Sequence, residues 1–184
     1  SGNSSSCTFN VTVTDEEAPI FDNCPTMDIT MDASPNSCDA VVMFDDPTAM
    51  DNCLGGVVTH RGRLPSASRL SVGITMIEYI ATDASGNMDT CSFTVTVADQ
   101  TAPIITCPSD TTMSASAGMC AANVSFAATA TDNCSPEADI SITYSPDTGT
   151  SFAVGTTEVT VTAVDTSGNS SSCTFNVTVT DEEA

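Results

Sequence analysis

Apolar and polar residues alternate with a period of two along several stretches of the chain. Cys173, Phe175, Val177 and Val179 share one phase, and Thr174, Asn176, Thr178 and Thr180 share the other. Ala122, Val124 and Phe126 alternate with Asn123 and Ser125, and Val159, Val161 and Ala163 with Thr160 and Thr162. This is the pattern of half-buried strands, and the abundance of β-branched residues suits a pleated surface. Turn signals such as Ser-Pro-Asn, Ser-Gly-Asn and Pro-Asp-Thr-Gly recur between these runs. The pattern predicts strands near 26–32, 38–44, 56–61, 75–82 and 90–98, and again near 110–116, 120–126, 139–144, 157–164 and 172–180. No stretch has a helical period. Short strands at this spacing predict an all-β chain of two-sheet sandwiches.

The chain repeats itself. Residues 1–18 and 167–184 are identical, Ser-Gly-Asn through Glu-Glu-Ala, which sets a period of 166 residues. A shorter repeat lies inside it. Asp15-Glu-Glu-Ala-Pro-Ile parallels Asp99-Gln-Thr-Ala-Pro-Ile, and Asp51-Asn-Cys parallels Asp132-Asn-Cys. Leu70-Ser-Val-Gly parallels Phe152-Ala-Val-Gly, and Asp83-Ala-Ser-Gly-Asn parallels Asp165-Thr-Ser-Gly-Asn. The organisation expected is two diverged modules per period, residues 15–98 and 99–181. Residues 1–14 are then the last strand of a preceding module, and residues 182–184 begin the next. The chain reads as a window on a longer array, with any secretion signal outside it.

Composition narrows the function. The chain of 184 residues has 24 acidic residues, three arginines, no lysine and a formal net charge of −21. So acidic a surface repels phosphate backbones and anionic lipid, so neither nucleic acid nor a membrane surface is an expected partner. The longest apolar run, Ala40 to Phe44, is far too short to span a bilayer. A 40% share of hydrophobic residues, arranged with strand period, predicts a folded chain despite the charge.

Cysteines reinforce what a small core supplies. One module carries Cys24, Cys38, Cys53 and Cys91, the other Cys107, Cys120, Cys134 and Cys173, and Cys7 is the copy of Cys173. Spaced pairs outside a Cys-x-x-Cys pattern predict disulfides in an oxidising compartment. Four cysteines allow three connectivities. In a sandwich the first and last strands begin at the same end, which favours Cys24–Cys91 and Cys107–Cys173. That leaves Cys38–Cys53 and Cys120–Cys134, which require the loop after a strand to fold back. The longer loops are worth about 4 kcal/mol each in the chain-entropy picture.

These residues resemble the hyalin repeat (HYR) module. The resemblance rests on the Asp-x-x-Ala-Pro-Ile opening, Cys-Pro, the Asp-Asn-Cys loop, Val-Gly, and Asp-x-Ser-Gly-Asn followed by Cys-x-Phe-x-Val-x-Val, and it covers nearly the whole chain twice. It implies immunoglobulin-like β-sandwiches, usually in tandem, in extracellular proteins of adhesion or matrix, and no enzymatic activity. The segment Arg61 to Arg69 departs from the usual Gly/Thr-rich sequence there.

Sandwich topology brings the entering segment to the same end as two acidic loops. This gathers Asp15, Glu16 and Glu17 with Asp51, Asp83 and Asn87, and Asp99 with Asp132, Asp165 and Asn169. Crowded carboxylates repel one another unless a cation intervenes, and oxygen ligands without histidine select a hard ion, Ca²⁺ above all. The first set is favoured, because Gln100-Thr101 replaces Glu16-Glu17 in the second. The same aspartates also suit turns on a solvated surface. Sequons for N-linked glycans occur at Asn3, Asn10, Asn123, Asn133, Asn169 and Asn176. Asn123 and Asn176 fall on the polar strand phase, while Asn133, between Asp132 and Cys134, is disfavoured. Arg61, Arg63 and Arg69 form the one basic cluster, either a contact for an acidic neighbour or a solvated loop. With His60 the sole histidine, acid–base catalysis would need a carboxylate pair such as Asp51 and Asp83 in a cleft. Their neighbours predict a metal-filled or solvated loop instead, so no catalytic residue is assigned. The resulting expectation is a structural repeat of an extracellular filament or stalk whose partners are further copies of itself, along the chain and laterally. The alternative is a cell-surface adhesin whose modules bind a carbohydrate or protein receptor.

Overall fold

The computed structural model describes residues 1–53, 57–60 and 67–182, with the backbone alone for 57–60. Strands follow in the order β1 (Ile20–Phe21), β2 (Ile29–Asp32), β3 (Asp39–Val42), β4 (Ala49–Met50), β5 (Val57–His60), β6 (Ser68–Ser71), β7 (Gly73–Thr82) and β8 (Met88–Ala98). They continue as β9 (Ile104–Thr106), β10 (Thr111–Ser114), β11 (Ala121–Asn123), β12 (Thr129–Thr131), β13 (Ser141–Ser145), β14 (Ser151–Ala153), β15 (Gly155–Val164) and β16 (Ser170–Thr180). A single 3-10 turn, Glu137–Asp139, is the only helical element among the described residues. The chain is all-β, and each of the ten strands that alternation predicts is present with its ends moved by a few residues.

Two of the sheets share one pattern of strand order. One four-stranded sheet runs β2-β8-β7-β5 and another β10-β16-β15-β13. Each half adds two small sheets, β1-β4 and β3-β6 in one, β12-β9 and β11-β14 in the other. The long hairpin β15–β16 is antiparallel from Gly155↔Val179 to Val164↔Ser170, while β10 joins β16 in parallel.

By internal contacts the chain divides into two compact units, residues 1–30, 41–69 and 74–96, and residues 31–40, 70–73 and 97–184. In the second, Val159, Val161, Phe175, Val177 and Val179 of the long hairpin pack with Ala122 of β11 and Phe152 of β14. That is the two-layered core which period-two patterning requires, one face of each sheet buried against the other. Phe126 meets Phe175 edge-on, with ring centroids 4.9 Å apart. In the first unit Ile77, Tyr79, Ala81, Phe93 and Val95 are buried, and Tyr79 stacks on Phe93. The Tyr79 hydroxyl donates to Asp46 Oδ1 at 2.7 Å. Burial first, and then this carboxylate, push the phenol well above its ordinary range.

The expected strand at residues 1–14 is not formed. Phe9, Val11 and Val13 are 84%, 76% and 90% exposed, whereas their identical counterparts Phe175, Val177 and Val179 are 3%, 0% and 2% exposed. The same letters form β16 because β15 and β10 flank them and a core receives their apolar face. Residues 1–14 have neither, and an apolar period without a partner does not stabilise a strand.

Candidate functional site

The two Asp-x-Ser-Gly-Asn motifs fold alike. Asp83 Oδ1 accepts from the N–H groups of Ser85 (2.9 Å) and Asn87 (2.7 Å), and Asp165 Oδ1 from those of Ser167 and Asn169, both at 2.8 Å. The glycine of each loop lies in the left-handed region, Gly86 at φ 93° and Gly168 at φ 90°, which a Cβ disfavours. The closing asparagine then reaches across to the segment that enters the module. Asn169 Nδ2 donates to Asp165 Oδ2 (2.9 Å), to the Asp99 carbonyl (3.1 Å) and to the Thr101 carbonyl (3.2 Å). Asn87 Nδ2 does the same for Asp83 Oδ2, the Asp15 carbonyl and the Glu17 carbonyl. Burial works to raise the Asp83 carboxyl, but the donors from Asn87, Gly86 and Ser85 outweigh it and hold the group below its ordinary value.

Asp99, Asp132 and Asp165 each offer a carboxylate oxygen to a common point, these atoms lying within 4.8 Å of one another. Asp99 is 5% exposed and Asp165 6%. One oxygen of Asp99 accepts from Thr101 N–H (3.0 Å), and one of Asp132 accepts from the N–H groups of Cys134 and Ser135, both at 2.8 Å. The second oxygens, Asp99 Oδ2 and Asp132 Oδ1, are buried without a hydrogen-bond partner. Buried carboxylate oxygens without donors are costly, and a hard cation is one kind of group that such oxygens can bind. All three contributors lie in the second compact unit.

The equivalent place in the first unit is built differently. Asp15 and Asp51 converge with the Cys53 thiol, and Asp51 Oδ1 is again buried and unpartnered. A hydrogen bond to Asp15 first, then desolvation and the charges of Asp15, Asp51 and Asp83, raise the Cys53 thiol above its ordinary value. Glu16 is exposed and joins neither cluster, and Glu17 accepts from Asn52 Nδ2. Asn87 and Asn169, expected as ligands, act through their amide nitrogens to position the aspartates.

Disulfides join Cys24 to Cys91 and Cys107 to Cys173, with Cα separations of 5.8 and 6.1 Å. The other expected pairs are corrected. Cys38 is bonded to Cys134, not to Cys53, with Cα atoms 4.7 Å apart. Cys7, Cys53 and Cys120 are exposed thiols. Cys38 immediately precedes β3, and Cys53 follows the Asp-Asn turn after β4. Among the sequons, Asn123 is exposed on β11. Asn169 uses its amide nitrogen in three hydrogen bonds, so a glycan there would break the loop's own ties. Arg61 and Arg63 lie outside the described residues, and Arg69 is exposed on β6. Among the described residues no helix is long and apolar enough to cross a membrane.

The HYR domain profile matches residues 14–97 and again 98–179. Hyalin of Strongylocentrotus purpuratus is 33% identical over 187 residues, covering 97% of this chain and 15% of that protein. Hyalin of Lytechinus variegatus is 34% identical over 185 residues, covering 97% of this chain and 34% of that protein. The chain thus spans a minor part of the curated relatives it matches. Among solved structures, mouse cadherin-23 EC22-24 covers 91% of this chain and 66% of its own, with 17% identity and a TM-score of 0.41.

Proposed function

The chain belongs to the HYR domain family, and on that premise we propose that it is the repeat unit of a long extracellular filament or stalk. The family, the hyalin relatives and the disulfides make it an extracellular or cell-surface chain of adhesion type. HYR and hyalin-type families are non-enzymatic. The observation that carries the filament reading is the identity of residues 1–18 with residues 167–184, a whole period of two modules returning to its own first letter. Negative-stain electron microscopy of the purified protein tests it. Extended threads with a regular axial repeat support the reading, and isolated compact particles at all concentrations refute it.

Two additions belong to the same proposal. Asp99, Asp132 and Asp165 would hold Ca²⁺, with Asn169 fixing the first and last of them, and the ion would supply the positive charge their buried oxygens lack. It would tie the entering segment at Asp99 to the two loops that carry Asp132 and Asp165. Support comes from the unpartnered oxygens of Asp99 and Asp132 and from the all-oxygen donor set. At Asp15 and Asp51 the neighbouring thiol makes the site less suited to a hard cation. Glycans on outward asparagines such as Asn123 would cover strand edges that no lysine protects.

A further inference from the structure

We propose that the Cys53 and Cys120 thiols are two halves of a disulfide between neighbouring repeats, Cys120 of one copy bonding to Cys53 of the next. The inference rests on reading the chain as a repeat, and it follows from comparing these two residues with their counterparts in the other module. Cys120 is the equivalent of Cys38. The Cys38 carbonyl accepts from Val72 N–H at 3.2 Å, and the Cys120 carbonyl accepts from Val154 N–H at 3.1 Å. Ser34 N–H donates to the Asp39 carbonyl as Ser116 N–H donates to the Ala121 carbonyl, both at 2.9 Å. Cys53 is likewise the equivalent of Cys134. Its N–H donates to Asp51 Oδ2 as that of Cys134 donates to Asp132 Oδ2.

The structure bonds one such pair. Cys38 stands in the stretch matched as the first HYR domain and Cys134 in the stretch matched as the second. The rule this bond expresses is that the cysteine immediately before the third strand of one module joins the Asp-Asn-Cys cysteine of the module after it. Within the described chain only one such succession exists. Applied to the next, the rule joins Cys120 to the Asp-Asn-Cys cysteine of a following module, which is Cys53 of the next copy. Cys53 in turn takes Cys120 of the copy before. Both thiols are exposed, as a bond to another copy requires. Cys7 fits the same account, because it is the copy of Cys173, whose partner is Cys107. Every cysteine of the period then has a partner.

Formation of the bond removes one proton and one electron from each thiol. The electrons pass to a disulfide oxidant such as oxidised glutathione, whose own sulfur–sulfur bond breaks to give two thiols.

The test uses a chain of two copies, residues 1–166 followed by residues 1–184, with a Thr→Ser substitution marking one copy. It is refolded with oxidised and reduced glutathione, alkylated before reduction, and its disulfides are mapped by mass spectrometry. The expected result is a crosslinked peptide joining Cys120 of the first copy to Cys53 of the second. The number of alkylated thiols should stay at the three of the single chain. With Cys120→Ser in the first copy, Cys53 of the second should become alkylated. The proposal is overturned if the alkylated thiols rise by two, or if Cys120 is found on Cys134 or on Cys53 of its own copy. Regular filaments whose Cys53 and Cys120 remain thiols would overturn this bond and leave the repeat reading intact.

Discussion

Replacing Asp99 by asparagine should separate a cation site from an ordinary acidic turn, because the two readings predict opposite patterns. Asparagine keeps the oxygen that accepts from Thr101 N–H and substitutes an amide for the buried, unpartnered Oδ2. Without calcium the change removes one charge from three that converge within 4.8 Å. At that separation each like-charge pair costs about 3 kcal/mol for an effective dielectric near 20. Solvent and salt screening bring the realised gain to roughly 1–2 kcal/mol. In chelator, Asp99→Asn should therefore melt about 4–15 °C higher than the natural chain. With calcium at a hundred times its Kd, the natural chain should gain about 2.7 kcal/mol, a rise of roughly 10–20 °C. The variant, short of one charged ligand, should lose most of that rise, so the order of the two proteins reverses on adding calcium. Differential scanning calorimetry with chelator and with calcium reads all four values. The reasoning is refuted if the variant shows the natural calcium shift, or if it is the less stable protein in chelator.

Other expectations are independent of that ion. Removing the Cys107–Cys173 bond with paired serines should cost about 4 kcal/mol, since it closes a loop of 66 residues, and guanidinium unfolding measures the loss. Tyr79→Phe removes the 2.7 Å bond to Asp46 and should cost about 1–2 kcal/mol by the same assay. Asp83 is held below its ordinary value of 3.8, so its contribution is complete above that pH and is lost as acid carries the solution through the lower, folded value. Asp83→Asn should therefore flatten the acid limb of stability against pH below about 4, and an unchanged limb would contradict the hydrogen-bond account. Intact-glycopeptide mass spectrometry of the native protein should find Asn123 modified and Asn169 bare.

The long strands were legible because period-two alternation over ten or so residues has few alternative explanations. β7, β8, β15 and β16 are of this kind. β1, β4, β6, β9, β12 and β14 lie outside the alternating runs of the sequence. Ile104–Thr106 becomes a strand only through pairing with Thr129–Thr131. Residues 1–14 teach the converse, that a perfect strand pattern remains unpaired when nothing flanks it. At the site, Asp99, Asp132 and Asp165, grouped from the sequence, do converge, but the roles of Asn87 and Asn169 depend on which amide atom faces the carboxylates. The pairing of Cys38 with Cys134 was hidden for a related reason. Sequence proximity favours the nearest cysteine, whereas the fold bonds Cys38 to Cys134, 96 positions away.

The Cys107–Cys173 bond has a consequence under load. The residues it encloses, 66 positions apart at their ends, could pay out roughly 220 Å of slack if they unravelled. The sulfur bridge carries tension past them, so before a covalent bond breaks only the short segments outside the bridge can lengthen. If the proposed filament reading holds, such a tether would stretch little in oxidising surroundings, and a reductant would release the enclosed length.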